Sequence, residues 1–180
     1  RLKNRPQWYT VTNRSRAYVA KILKKISGEI FKNYKISNIY RSDDNVRISI
    51  GDEHLDYDQV VLACHADQSL KILNKPTEKE KEILNKFTYV PNRAFLHTDE
   101  NLMPLRKKAW SSWNSITKGS KTCVTYWLNK LQNLKTNKNY FLTLNPVEKI
   151  EENKVIKQEQ FTHPYFNNEN VSLQKDLHLL

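Results

Sequence analysis

The sequence predicts a mixed α/β fold, α+β in its arrangement, with helices interspersed among strands that turn tightly back on one another. Three observations predict it. A helical-period segment opens the chain. Short period-two strands separated by turn clusters follow. A second group of strands comes after two further helices. With 180 residues, 38% of them hydrophobic and 11% aromatic, the chain has the material for a real core and is not a disordered tract.

Residues 15–26 predict an amphipathic helix. Tyr18, Val19, Ile22, Leu23 and Ile26 recur at helical spacing, Lys21, Lys24 and Lys25 lie opposite, and Gly28 ends it. Ile30 and Phe31 suggest a brief strand, and Lys35 to Arg41 a second. Ser42-Asp43-Asp44-Asn45 is a turn cluster. Val46, Ile48 and Ile50 alternate with polar residues as a half-buried strand requires, and Gly51-Asp52 turns the chain. Val60-Val61-Leu62-Ala63 is a continuous apolar run, suited to a strand buried on both faces. Helices are expected over about 66–73 and after Pro76, where Thr77 and Glu80 have capping-box spacing. A strand over 89–98, an irregular loop over 99–121, strands at 122–128, 140–144 and 154–162, and a helix over 167–180 complete the pattern. Such strands imply antiparallel pairs beside any parallel ones.

The formal net charge of +11 raises nucleic acid or an anionic surface as partners. Lysine supplies 22 of the 30 basic residues, in scattered positions with pairs only at Lys24-Lys25 and Lys107-Lys108, so a dedicated nucleic-acid face is not expected. Cys64 and Cys123 lack CxxC spacing, which argues for reduced, intracellular thiols and a cytoplasmic protein, against a disulfide framework or structural zinc. No run of apolar residues is long enough to span a membrane. Arg1 opens the chain and residues 176–180 stop within a helical pattern, so the chain reads as part of something longer.

Two sets of motifs carry a resemblance. Residues 7–73 contain Trp8-Tyr9-Thr10-Val11, a loop, a helix, a strand-turn-strand and then Asp58-Gln59-Val60-Val61-Leu62-Ala63-Cys64-His65-Ala66. Residues 89–166 contain, in order, Leu96-His97-Thr98-Asp99, Met103-Pro104, Ala109-Trp110-Ser111-Ser112-Trp113-Asn114, Tyr126-Trp127-Leu128-Asn129, Thr143-Leu144-Asn145-Pro146 and His163-Pro164. Together they resemble the flavin-containing amine oxidase superfamily, in particular a bacterial-type subgroup of NAD/FAD-binding oxidoreductases. The resemblance implies an internal fragment of a FAD-binding oxidoreductase fold. Residues 1–75 would form part of the flavin domain with its hairpin and returning strand. Residues 76–166 would form a mixed or antiparallel substrate-domain sheet, and 167–180 the start of a truncated helix.

The resemblance also implies site residues. Ile36 would meet the FAD adenine, mainly through its backbone. Ala63, Cys64 and His65 would end the returning strand near the cofactor's pyrophosphate and ribose, where ligands bind in open α/β sheets. Trp110, Trp113, Asn114 and His97 would face the substrate cavity. Two departures stand out. Asn13-Arg14 occupies the loop where relatives place glycines, and Asn tolerates left-handed backbone. No G-x-G-x-x-G is present, and the glycines are Gly28, Gly51 and Gly119, so the phosphate cradle is missing and the chain alone is expected neither to hold FAD nor to be active.

The bland readings are concrete. Ile36 can be a core isoleucine, Ala63 a strand end, His97 a satisfied core histidine, Asn114 a loop cap, and Tyr126 and Trp127 core aromatics. Adjacent residues on a strand point to opposite faces, so Cys64 and His65 are expected to make a poor nucleophile–base pair. His65, His97, Asp99 and His163 match no ligand spacing, so no metal is expected. The implied activity is oxidation of a C–H bond of a small-molecule substrate by hydride transfer to flavin, with amines, polyenes and acyl lipids all within the superfamily's range. A peripheral membrane or lipid contact is left open, as is oligomeric state. The rivals are a non-enzymatic basic domain that binds nucleic acid, a Cys64 hydrolase, and another α/β enzyme whose nucleotide loop lies outside the chain.

Overall fold

The structure, a computed structural model, describes residues 6–180. It has the mixed class the sequence predicts: helices with two sheets, of three and five strands. In chain order the elements are α1 (Arg14–Leu23), β1 (Ile36–Arg41), β2 (Val46–Ile50), β3 (Glu53–Tyr57), α2 (Ala66–Ile72), α3 (Glu78–Leu84), β4 (Tyr89–His97), β5 (Trp113–Lys118), β6 (Lys121–Trp127), α4 (Leu128–Leu131), β7 (Phe141–Leu144), β8 (Val155–Pro164) and α5 (Asn168–Ser172). No helix is long and apolar enough to cross a membrane, among the described residues.

The chain divides into two compact units that do not follow chain order. One combines Arg1–Glu29 with Pro91–Thr162, the other Ile30–Val90 with His163–Leu180. The sequence expects consecutive segments instead, 1–75, 76–166 and 167–180. The opening helix groups with the larger sheet, and the C-terminal residues group with the hairpin. The first five residues of the expected 1–75 segment lie outside the described residues.

In the hairpin unit the strands lie in the order β1-β2-β3, antiparallel throughout. The turn cluster works as its residues dictate. The Ser42 N–H donates to the Asn45 carbonyl at 2.9 Å and the Ser42 hydroxyl to Asn45 Oδ1 at 2.9 Å. Gly51 turns the second hairpin with a φ of 60°, which glycine adopts without a Cβ penalty. The third strand, β3, was not expected, because Glu53-His54-Leu55-Asp56-Tyr57 sets only Leu55 inward and the other four residues are exposed. Ile30-Phe31 forms no strand. The capping box of α3 is present in full: the Glu80 N–H donates to Thr77 Oγ1 at 3.1 Å, and the Thr77 N–H to Glu80 Oε2 at 2.7 Å. The expected helix over 167–180 is shorter. One turn of α-helix, α5, is followed by two 3₁₀ turns.

In the other unit the strand order is β5-β6-β7-β4-β8. Leu102, Cys123 and Ile150 form one buried cluster, with Phe95, Ile116, Val147 and Val155 packed on it. Met103, Trp110 and Phe141 form another, joined by Trp127. The stretch 99–121 is not an irregular loop. It holds two 3₁₀ turns and then β5, paired along its length with β6. Its polar sequence hid the strand, because the inward position is filled by Asn114 and not by an apolar side chain.

Candidate functional site

The segment after the hairpin is where the sequence placed its cofactor residues. Val60–Ala63 is not a buried strand. It has no ladder partner among the described residues, and its side chains alternate between half-buried (Val60, Leu62) and exposed (Val61, Ala63), with Val61 90% exposed. An apolar run becomes a doubly buried strand only where neighbouring strands cover both sides, and here the nearest sheet, β1-β2-β3, ends at β1. The edge of β1 is met instead by the end of α2, through a parallel bridge between Ile39 and Leu73 and a 2.8 Å bond from the Asn74 N–H to the Ile39 carbonyl.

Val60, Val61 and Leu62 line one wall of an open cleft of about 430 Å³, with Ile39 on β1 and Leu73 and Leu84 from the helices opposite. Arg41 and Glu80 close its polar rim. The Arg41 guanidinium grips the Glu80 carboxylate with both terminal nitrogens, and the second bond, Nη2 to Oε2, is 2.9 Å. This bidentate hydrogen bond, with burial opposing it and the Thr77 N–H adding to it, holds the Glu80 carboxyl down to about 2. The sequence showed Glu80 only as a capping residue. No local spacing could reveal that a strand-end arginine 39 positions away in the chain would share it.

Ala63 is exposed and follows the cleft-lining Val60–Leu62 in the chain, and Leu180 also lines that cleft. Cys64 is exposed and its Sγ lies 3.2 Å from Ser69 Oγ. His65 stacks flat on Tyr89, with ring centroids 4.2 Å apart, and the Tyr89 hydroxyl accepts the Ala66 N–H. Cys64 and His65 thus have separate partners, and the geometry brings no thiol–imidazole pair together. Ile36 opens β1 at a register shift between Ile36 and Asn38, paired with Ile50, and is exposed where a core isoleucine would be buried.

The substrate-cavity candidates lie in the other unit, and three of the four are committed to internal contacts. His97 is fully buried. Its Nδ1 accepts the Asp99 N–H at 3.1 Å, so Nε2 carries the proton of the neutral ring and donates to Thr143 Oγ1 at 2.8 Å. The Thr143 and Thr125 hydroxyls share a further hydrogen bond, also at 2.8 Å. Burial pushes the His97 ring below its ordinary value, against the pull of Asp99. Asp99 is equally buried. Desolvation opposes its charge, but the N–H groups of Glu151 and Asn101 and the Lys154 ammonium outweigh it and hold the carboxyl below its ordinary value. Asn114 closes the turn before β5. Its Oδ1 accepts the Ser111 N–H, and its amide donates to the carbonyls of Ser111 and Thr125. Trp110 donates its indole N–H to the Pro104 carbonyl at 2.7 Å and packs edge-on against Trp127 and Phe141. Trp113 alone is open, 62% exposed at the start of β5. Among the described residues no group of three or more His, Cys, Asp or Glu side chains is placed to hold a metal.

No protein-family model matches the sequence, and no curated protein matches it. Among solved structures the chain is similar to a CLA-producing fatty acid isomerase from P. acnes, with a TM-score of 0.52 and 16% identity over 84% of this chain and 40% of that one. At that identity the likeness is one of fold. The chain spans less than half the length of the structure it matches.

Proposed function

We propose that this chain is part of a FAD-dependent oxidoreductase of the amine-oxidase-like superfamily, one that oxidises a C–H bond of a small-molecule substrate. The observation that carries the reading is the unpaired apolar segment Val60–Ala63 along an open cleft. That segment follows a hairpin sheet, has no ladder partner among the described residues, and contributes Val60, Val61 and Leu62 to the lining of an open cleft. The motif order of the resemblance runs through the same residues, and the likeness of fold to a fatty acid isomerase is compatible with it.

The residues present fit a dinucleotide in part. A backbone without ladder partners and a small side chain at Ala63 allow close approach, and Ile36 offers main-chain groups at a strand start. The pyrophosphate cradle is not among them. Gly51 and Gly119 serve turns with φ near +60°, and Gly28 opens no helix. When bound, the flavin would supply the hydride-accepting chemistry. What this chain's residues contribute is position: Ile36 and Ala63-Cys64 as main-chain contacts and His65 fixed by its stack on Tyr89. The substrate side is carried only by Trp113, since His97, Trp110 and Asn114 are held in internal contacts.

The test is bound flavin in the complete product of the gene, read by absorbance after purification. We expect FAD there, its loss in Ala63→Trp, and none retained by residues 1–180 alone. A complete product that stays colourless after incubation with FAD sinks the reading.

A further inference from the structure

The lysines are scattered along most of the chain, but the first 28 residues are different. They contain Arg1, Lys3, Arg5, Arg14, Arg16, Lys21, Lys24 and Lys25 and no Asp or Glu, so this stretch holds +8 of the net +11. Within it α1 buries no residue. Tyr18, Val19, Ile22 and Ile26, at helical spacing, are all exposed, and Trp8, Tyr9 and Val11 are exposed just ahead of the helix. At 100° per residue the apolar side chains from Tyr18 to Leu23 span one side of α1. Arg16 and Lys25 flank that side, and Lys21 and Lys24 lie behind it.

We propose that Trp8–Ile26 is an interfacial anchor that lies on an anionic lipid bilayer, its apolar side at the acyl boundary and its cations among the headgroups. The inference goes beyond the flavin reading and does not rest on it. Charge complementarity selects the occupant. A second copy of this surface would bring two stretches of five cations and no anion together. A nucleic acid would satisfy the cations and can stack on Tyr18, but it offers nothing to the aliphatic Val19, Ile22 and Ile26. An anionic bilayer satisfies both, and Trp and Tyr side chains favour the headgroup level where Trp8 and Tyr9 would sit. Each lysine or arginine near such a surface strengthens binding severalfold, and the effect weakens with salt.

The experiment is co-flotation of the chain with vesicles of phosphatidylcholine alone and of phosphatidylcholine with phosphatidylserine, at low and high salt. We expect binding to the mixed vesicles only, weakened by salt. Lys24→Glu/Lys25→Glu should lower it by about tenfold or more, and Ile22→Asn by about threefold or more through lost apolar insertion. Both changes fall on exposed positions, and an unchanged circular dichroism spectrum confirms the fold. Lys108→Glu/Lys121→Glu, an equal charge change at exposed positions outside Trp8–Ile26, should lower it much less. No binding to the mixed vesicles overturns the proposal, as does an equal loss in the two charge-reversal variants. Insensitivity to Ile22→Asn, with competition by a single-stranded RNA, would make the surface a polyanion site and overturn it as well.

Discussion

The buried chain from His97 through Thr143 to Thr125 shows how much one residue's partners decide. Each group is sealed from water, so a lost partner leaves an unsatisfied donor or acceptor and not a solvated one. Thr143→Val strands the His97 Nε2–H and should cost about 1–3 kcal/mol in urea unfolding. Thr143→Ser keeps the hydroxyl and should cost about 1 kcal/mol for the missing methyl. The same burial gives a pH dependence. His97 is held below its ordinary value in the folded chain, so the unfolded chain binds the proton more readily. The stability tied to its neutral ring is complete above the unfolded value of about 6.5 and is lost as the pH falls toward the folded one. Urea midpoints should therefore drop between about pH 7.5 and about pH 5.5, and His97→Gln should flatten that drop. Asp99, also held low, loses its share only below the ordinary carboxylate range. Backbone matters on the same scale. Asn13 and Arg14 both sit at positive φ, 62° and 66°, where the resemblance places glycines. Asn13 adopts that region readily, whereas Arg14 pays a Cβ penalty of roughly 1 kcal/mol. Arg14→Gly should be stabilising by about 0.5 kcal/mol once its greater unfolded freedom is subtracted, and Arg14→Ala should be neutral.

At the scale of the element, α3 rests on one carboxylate with two duties. Glu80 completes the capping box with Thr77 and accepts the Arg41 fork from β1. Thr77→Ala should cost about 1 kcal/mol, the usual value for a lost cap. Glu80→Gln should cost a similar amount, with the ion-pair part discounted because Arg41 is partly exposed. The double change should fall short of the sum, because both substitutions break the same network, and unfolding of the four proteins measures the shortfall. Glu80, at about 2, adds a second acid-side loss between its ordinary 4.5 and that value. Elements of this kind were readable in the sequence where local chemistry specifies them. The box at Thr77 and Glu80, the turn at Ser42–Asn45 and the alternation of Val46, Ile48 and Ile50 all act within a few residues. Long-range facts were not readable. Val60–Ala63 looks like a buried strand because its composition is right, but strand formation depends on neighbours that composition does not name. β5 was hidden for the opposite reason: Asn114 fills an inward position, and only Ser111 and Thr125 explain why a polar side chain belongs there. Trp110 and Asn114 looked like cavity residues because polar and aromatic groups in an apparent loop suggest a site, and His97, in the expected strand over 89–98, did so through the resemblance. Their actual partners, Pro104, Thr143 and Ser111, make them structural.

At the scale of the whole molecule the surface itself carries information. The chain exposes 14754 Å². A single compact protein of its mass would expose about 9,100 Å², and even two separate globules of half the mass roughly 11,000 Å². The excess therefore lies within the units and does not depend on how they are placed. Its composition points the same way, since Val61, Ile22, Phe166 and Ile156 are large apolar side chains that are more than half exposed. Surface left exposed in the folded state cannot be newly exposed on unfolding. Against an unfolded area of about 31,000 Å², the chain buries roughly three quarters of what a compact 180-residue protein would. The urea m-value scales with that difference, so it should be about three quarters of the value usual for this length. Native samples should also bind 8-anilinonaphthalene-sulfonate without denaturant. An m-value in the normal range, with no dye binding, would mean that these apolar faces are covered when the chain is in solution by itself. Membrane attachment through α1 and an open cleft along Val60–Leu62 would then both lose their physical basis, because each depends on apolar surface that the isolated chain leaves to water.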